Sequence, residues 1–172
     1  IYLIGYFAGT VDFDPGAGTD NKSSAGGYDI FLTKFNTDSS YGWTKTMGGS
    51  GNDSGSQVST DSSGNIYITG VFAGTVDFNP GVGTDNRTAE GDRDIFLTKF
   101  NVDGSYGWTV AMGGVGYDSG EGVATDSFDN IYVTGAFRST VDFNPGAGTD
   151  NKTAVGGSDI FLTMIDTDGS YG

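Results

Sequence analysis

The segment Ile66–Phe72, IYITGVF, recurs as IYLIGYF at residues 1–7 and as IYVTGAF at residues 131–137. Each copy is rich in β-branched and aromatic residues and is bounded by turn-forming residues, which is the signature of a strand. The copies begin 65 residues apart, so the chain repeats without a gap. Such a period indicates that each unit is one supersecondary element that buries its faces against its neighbours.

Four runs with strand character recur in each period, separated by turns rich in glycine and aspartate. Examples are residues 122–126, 131–137, 94–100 and 107–112. Residues 101–105, NVDGS, are expected to form a hairpin loop in which the Asp-Gly pair supplies positive φ values. Four antiparallel strands per unit predict an all-β fold of four-stranded β-propeller blades, since a β-solenoid normally has a much shorter repeat.

Two of these runs carry a family resemblance. GVATDSFDNIYVTG, residues 122–135, and DIFLTKFNVDGSYGWTVAMGG, residues 94–114, resemble the hairpins of the bacterial SBBP-type β-propeller repeat. The resemblance covers essentially the whole chain, and it implies a propeller fold and an exported or cell-surface setting without a defined activity. The chain departs from the family pattern in the long connection between the two hairpins.

The 65-residue period divides the chain into units 1–65 and 66–130 and an incomplete third unit, 131–172. Read as blades, the first unit lacks its leading strand and the third its last, and exposed strand edges invite pairing with another segment. We expect this sequence to be part of a longer array, because repeat proteins need neighbours to cover their terminal faces. The expected partners are further repeats of the same chain or other copies of it.

The composition argues against several classes of function. With 22 acidic and 8 basic residues the net charge is −14, which repels nucleic acids and anionic lipid surfaces. No apolar run approaches the roughly 20 residues that span a bilayer, so no membrane insertion is expected. Cysteine and histidine are both absent, so the chain alone cannot build thiolate or imidazole catalysis, or zinc sites of those ligands.

Near-identical units also argue against catalysis. An active site acts on its substrate with one set of catalytic residues, so an enzyme is expected to carry polar residues that differ between its repeats. The polar residues that differ between units are few: Glu90, Asp92, Arg93, Tyr117, Glu121 and Arg138. Nothing in their spacing selects a pair of carboxylates for glycoside hydrolysis. We therefore expect no catalytic residues.

A longer element also repeats, as VDFDPGAGTDNKS at residues 11–23, VDFNPGVGTDNRT at 76–88 and VDFNPGAGTDNKT at 141–153. Alternation along an extended segment places two oxygen-bearing side chains on one face, and Val and Phe on the other. The glycines and a later Asp supply further oxygens, which suits the six to eight oxygen ligands of calcium. The predicted calcium ligands are Asp12, Asp14 and Asp20; Asp77, Asn79 and Asp85; and Asp142, Asn144 and Asp150. The alternative is that these residues only form turns.

Each copy of this element ends in an Asn-x-Ser/Thr triplet, the acceptor sequence for N-linked sugar. The predicted glycosylation sites are Asn21, Asn86 and Asn151, conditional on a host that has the export machinery. Trp43 and Trp108 also repeat, and packing between blades is favoured over a sugar-stacking platform.

These patterns favour a secreted or cell-surface, non-catalytic β-propeller array with a structural or adhesive role in a surface layer, filament or matrix. Calcium would stabilise its loops, and glycans would be carried on them. Repetition would itself be the function, since identical units make identical lateral contacts. The alternative is a multivalent, lectin-like propeller with one shallow carbohydrate site per blade.

Overall fold

The computed structural model describes every residue from Ile1 to Gly172 and consists of strands, turns and loops. It contains no helix, and hence none long and apolar enough to cross a bilayer. The strands, numbered in chain order, are β1 (Tyr2–Phe7), β2 (Thr10–Asp12), β3 (Asn21–Ser23), β4 (Asp29–Phe35), β5 (Tyr41–Gly49), β6 (Ser54–Thr60), β7 (Ile66–Phe72), β8 (Thr75–Asp77), β9 (Asn86–Thr88), β10 (Asp94–Phe100), β11 (Tyr106–Met112), β12 (Ser119–Thr125), β13 (Ile131–Phe137), β14 (Thr140–Asp142), β15 (Asn151–Thr153) and β16 (Asp159–Ile165).

Three large sheets follow one another along the chain. The middle sheet has four antiparallel strands in the order β6-β7-β10-β11, and the turn between β10 and β11 places Gly104 at a φ of 82°. The first sheet is β1-β4-β5, extended at one edge by β8 and β9, and the third sheet is β12-β13-β16. The predicted all-β class and antiparallel pairing are confirmed. The predicted four main strands are all present only in the middle sheet. The three sheets do not close into a ring.

The long repeated element folds into a short hairpin in every unit, namely β2–β3, β8–β9 and β14–β15. In the second hairpin Val76 lies opposite Arg87, and the hydroxyls of Thr75 and Thr88 are 2.8 Å apart. Strand β8 also pairs with the end of β5, where Val76 lies opposite Gly49. Because this hairpin directly follows β7, it connects the first sheet to the middle sheet.

The hydrophobic core lies between the sheets in two similar layers. The first layer, between the first and middle sheets, contains Ile30, Leu32, Met47, Ile66, Ile68, Phe72, Val76, Phe78, Phe96 and Phe100. The second layer, between the middle and third sheets, contains Tyr67, Ile95, Leu97, Met112, Val123, Ile131, Val133, Phe137, Val141, Phe143, Phe161 and Ile165. The middle sheet is thus covered on both faces, and every residue of β7 is buried.

The outer faces of the first and third sheets are apolar and uncovered. Ile95 and Leu97 are fully buried in the second layer, whereas their equivalents in the third sheet, Ile160 and Leu162, are 87% and 72% exposed. On the outer face of the first sheet, Leu3 is 51% exposed, whereas its equivalent in the middle sheet, Ile68, is fully buried. These two faces are therefore the two halves of an interface that the chain buries twice internally.

The glycine in the motif IYITGVF is required by a close approach of backbones. A β-bulge interrupts the pairing of β6 with β7 between Gly55 and Gln57. A Cβ atom at Gly70 would stand 2.0 Å from the carbonyl oxygen of Ser54. Any larger residue would therefore separate the two strands.

Candidate functional site

The nine predicted calcium ligands lie in the three copies of the repeated hairpin, three in each copy. The first two ligands of each copy accept backbone hydrogen bonds that close the tip of the hairpin. In the second hairpin, Asp77 Oδ1 accepts hydrogen bonds from the backbone N–H groups of Asn79 and Asp85, at 3.0 and 2.9 Å. Asn79 Oδ1 in turn accepts from the N–H of Gly81 at 2.9 Å. The other hairpins repeat this pattern, with Asp12 and Asp14 in the first and Asp142 and Asn144 in the third.

This geometry explains why the second position accepts either Asp or Asn. Asp14 Oδ1 accepts from the N–H of Gly16 at 2.8 Å, and Asn144 Oδ1 accepts from Gly146 at 2.9 Å. A carboxylate and an amide oxygen perform the same task of closing an Asx-type turn.

The third predicted ligand of each hairpin fixes the hairpin to its own sheet. Asp85 forms an ion pair with Arg87 at 3.0 Å and accepts a hydrogen bond from the hydroxyl of Tyr106 at the start of β11. The other copies of this trio are Asp20, Lys22 and Tyr41, and Asp150, Lys152 and Tyr171. Burial together with the hydrogen bond to Asp20 raises the pKa of Tyr41 to about 12, so this hydroxyl stays a donor at neutral pH.

In this structure other groups of the chain already engage several of the predicted calcium ligands. The first carboxylate of each hairpin faces two N–H donors, and the third is already paired with a cation. A cation at these oxygens would have to compete with the N–H donors and basic side chains that already engage them. Calcium binding therefore stays a prediction that metal removal must test.

The three predicted glycosylation sites, Asn21, Asn86 and Asn151, each lie at the first position of the returning hairpin strand. All three residues are exposed. The positions are therefore open to a bulky group, and glycosylation itself stays a prediction.

The underside of the hairpin is a hydrophobic wedge between two sheets. Val76 and Phe78 are fully buried in the first core layer. The ring of Phe78 contacts Phe72 edge-on at a centroid distance of 5.3 Å and Phe96 at 5.1 Å. The second and third hairpins each fill the space between their own sheet and the preceding one, so their clearest role is to hold neighbouring sheets together.

The two tryptophans also lie between sheets. A Cβ atom at Gly104, in the turn of the middle sheet, would lie 2.9 Å from the ring of Trp43 in the first sheet. The indole N–H of Trp108, in the middle sheet, donates to the carbonyl oxygen of Thr167, in the turn that follows β16 of the third sheet, at 3.2 Å. Both indole rings therefore contact a turn of the neighbouring sheet.

A pair of carboxyl groups is buried at each sheet junction, and one member of each pair, Asp53 or Asp118, was missed from the sequence. Asp118 is fully buried, and its two oxygens accept from the N–H groups of Gly114 and Arg138, at 2.9 and 2.8 Å. Asp94 lies nearby and accepts from the N–H of Glu90, while its other oxygen has no hydrogen-bond partner. Asp29 and Asp53 form the equivalent pair at the first junction. The recurrence of Asp in GNDSG and GYDSG was the available sequence signal.

Burial gives these groups an unusual titration. It raises the pKa of Asp94 to about 6, and it also raises the pKa values of Asp29, Asp53 and Asp118. A carboxyl group with a raised folded-state pKa contributes stability fully below its unfolded pKa of about 3.9. That contribution is lost as the pH rises through the folded value.

We therefore expect the free energy of unfolding to fall as the pH rises from about 4 to about 7. Asp94→Asn keeps an acceptor for the N–H of Glu90 but cannot ionise, so it should reduce this fall. Asp103→Asn is the control, because Asp103 is exposed and the Ser105 hydroxyl lowers its pKa. Urea unfolding over a pH series measures the slope, and an unchanged slope in Asp94→Asn would contradict this account.

The fold and the repeated interface define the chain as an all-β repeat protein of propeller type. A family model described as the SBBP beta-propeller repeat matches it twice, at residues 42–71 and 108–136. Each match runs from the outer strand of one sheet into the second strand of the next, β5 to β7 and β11 to β13. The chain thus contains SBBP-type β-propeller repeats, and the resemblance predicted from its sequence is confirmed.

Two curated proteins are similar to the chain. An uncharacterized WD repeat-containing protein of Acanthamoeba polyphaga mimivirus is 30% identical over 59% of the chain, which spans 8% of that protein. Regulatory protein FlaEY of Caulobacter vibrioides is 28% identical over 83% of the chain, which spans 14% of that protein. The chain thus covers a small part of either relative, and neither relative is named as an enzyme.

Proposed function

We propose that this chain is a non-catalytic structural module whose sheets act as β-propeller blades, and that it functions by stacking against further blades of its own kind. The observation that carries the proposal is the pair of uncovered faces on the first and third sheets. They match the two sides of an interface that is already buried twice within the chain. A second copy can therefore continue the same stacking.

The exposed face of the third sheet gives this association its driving force. Ile160 and Leu162 are both largely exposed, and fully burying such a side chain contributes roughly 1.5–3 kcal/mol. The contact is head-to-tail, because one face of a copy meets the opposite face of the next. Contacts of this type continue into filaments unless the rotation between copies closes a ring.

The proposed setting is extracellular, secreted or on a cell surface, with a structural or adhesive role in a surface layer, filament or matrix. The SBBP resemblance supports this location, and the net charge of −14 suits a protein that avoids polyanions. Repeated polar side chains are mostly committed to backbone amides, which supports the absence of catalysis. Glycans on Asn21, Asn86 and Asn151 would occupy the hairpin surface, away from the core layers.

Sedimentation velocity tests the stacking. We expect the sedimentation coefficient of the 172-residue chain to rise with concentration beyond that of a dimer, and the double variant Ile160→Asp, Leu162→Asp to stay monomeric. The double variant should keep its melting temperature, since both side chains are already exposed. Val82→Asp is the matched control, because Val82 is fully exposed on a hairpin tip and away from this face. A wild-type chain that stays monomeric at every concentration would refute the proposal.

A chelator arm of the same experiment tests the calcium prediction. The hairpin geometry leads us to expect the same melting temperature and association with EDTA as with added calcium, because N–H donors and basic side chains engage the carboxylates. A clear fall in melting temperature with EDTA, reversed by calcium, would show instead that the hairpins bind the metal.

A carbohydrate-binding module is the second candidate function. The observation that favours it is a group of tyrosine and arginine side chains at one end of the sheets, near Arg93. This group of side chains occurs once in the chain. It therefore supports a single carbohydrate site and not one carbohydrate site on each blade.

A further inference from the structure

Three residues that break the repeat meet in space, and we name them the rim cluster: Arg93, Tyr117 and Arg138. In the other units, Tyr28 and Ser158 stand at the position of Arg93, and Asn52 stands at the position of Tyr117. Ala8 and Ala73 stand at the position of Arg138. The guanidinium carbons of both arginines lie 5.7 Å from the centroid of the Tyr117 ring. Residues separated by more than 20 positions, and not required by the repeat, thus form one cationic and aromatic cluster.

The backbone of the rim cluster is firmly held. Arg93 and Tyr117 form a β-bridge, and the carbonyl oxygen of Arg93 accepts from the N–H of Asp118 at 2.9 Å. The N–H of Arg138 donates to the buried Asp118 carboxylate at 2.8 Å. The side chains therefore project from a fixed base, which reduces the entropy lost on binding a ligand.

Neither arginine of the rim cluster forms an ion pair, although the chain has 22 acidic residues. All three ion pairs of the chain belong to the hairpins and use Lys22, Arg87 and Lys152. The buried carboxylates of Asp53 and Asp118 lie close enough to interact with Arg93 and Arg138, but their oxygens accept backbone N–H groups. Two guanidinium groups beside one ring are left to bind an anion, for which their planar sets of donors are suited.

A cleft of about 220 Å³ adjoins the cluster and shares Arg93 with it. Its lining is Tyr6, Tyr28, Asn52, Asp53, Ser54 and Arg93. The rings of Tyr6 and Tyr28 meet edge-on at 4.9 Å and are 56% and 47% exposed. The cleft is smaller than the roughly 300–1,000 Å³ of a drug-sized site, so it suits one small ring.

We propose that this surface binds an acidic saccharide. One sugar ring would pack on Tyr6 and Tyr28 beside the amide of Asn52, and its carboxylate or sulfate group would bind the guanidinium groups of the rim cluster, of which Arg93 lines the cleft. Exposed tyrosines offer a flat apolar face together with a hydroxyl, which suits a sugar. Densely charged polymers such as nucleic acids are disfavoured by the net charge of −14, whereas a ligand with one acid per sugar is repelled less. The site is independent of the stacking face around Ile160 and Leu162.

Isothermal titration of the Ile160→Asp, Leu162→Asp chain tests this site without interference from self-association. The probes are a galacturonic acid trimer, a sulfated trisaccharide, a neutral galactose trimer and inorganic sulfate. We expect one or both acidic saccharides to bind, and Arg93→Gln and Arg138→Gln each to weaken that binding by about tenfold or more. Arg87→Gln is the matched control and should change nothing, because Arg87 is already paired with Asp85.

Tyr28→Ala separates the sugar from its acid group, since it should weaken saccharide binding and leave any sulfate binding unchanged. The proposal is overturned if neither acidic saccharide binds, if the neutral trimer binds equally well, or if the arginine variants bind like the parent chain. Sulfate binding as tight as that of the saccharides would show an adventitious anion only.

Discussion

Replacing Phe78 by alanine should destabilise the chain by about 3–5 kcal/mol, the usual cost of removing a fully buried phenylalanine. The ring has no exposed surface and contacts Phe72 and Phe96 from the underside of the second hairpin. Its loss leaves a cavity between two sheets that are joined there by the pairing of Val76 with Gly49. The first and middle sheets should therefore separate more readily.

Phe13→Ala provides the matched control, because Phe13 occupies the same position in the first hairpin. Its ring contacts Phe7 and Phe31 at 5.2 and 5.1 Å, so the local aromatic contacts are nearly the same. Phe13 is only partly buried, since no sheet covers that face. We expect a clearly smaller loss at Phe13, and a loss at Phe143 comparable to that at Phe78.

Urea unfolding followed by tryptophan fluorescence measures all three variants, with Trp43 and Trp108 as probes of the two junctions. Equal losses at Phe13 and Phe78 would contradict the wedge role, because they would show that local contacts suffice and that the covering sheet adds nothing.

The strands were predictable because their signal is local. IYITGVF at Ile66–Phe72 and the Asp-Gly turn at Asp103 carry their preferences within a few residues, and the structure places a buried strand and a positive φ at Gly104 there. The prediction for residues 122–126 began late, since β12 starts at Ser119. Its leading Ser-Gly residues have low strand propensity, and pairing with β13 overrides it.

The behaviour of the repeated hairpin was not predictable in the same way. Sequence spacing identified the oxygens of Asp77, Asn79 and Asp85 but not the direction of the N–H groups around them. Those N–H groups point at the side-chain oxygens and close turns with them, which spacing alone does not reveal, and calcium binding at the same oxygens stays a prediction. The pairing of β8 with β5 is a contact between units, and no local pattern reports it.

The rim cluster marks another boundary of what sequence can predict. Comparison of the units identifies Arg93, Tyr117 and Arg138 as residues that break the repeat. Their convergence depends on how the start of β10, the start of β12 and the end of β13 meet at one end of the sheets. Asp118 was missed because a buried aspartate in a glycine-rich segment resembles an ordinary turn residue.

The central claim is that stability comes from covering the faces of the sheets, so the middle sheet should be by far the most stable part of the chain. Strand β7 is wholly buried, and β10 is buried except at Lys99. Strands β1 and β16 are structurally equivalent to β7 and β10, yet each is only partly buried and borders an uncovered face. Amides that open only with global unfolding should therefore be concentrated in β7 and β10.

Native-state hydrogen exchange, followed by NMR on the monomeric Ile160→Asp, Leu162→Asp chain, measures this directly. We predict that amides of β7 and β10 exchange at least about a hundredfold more slowly than the paired amides of β1 and β16, a difference of about 2.7 kcal/mol. Equal protection in all three sheets would contradict the account, because it would mean that each sheet is stable without a neighbour to cover it.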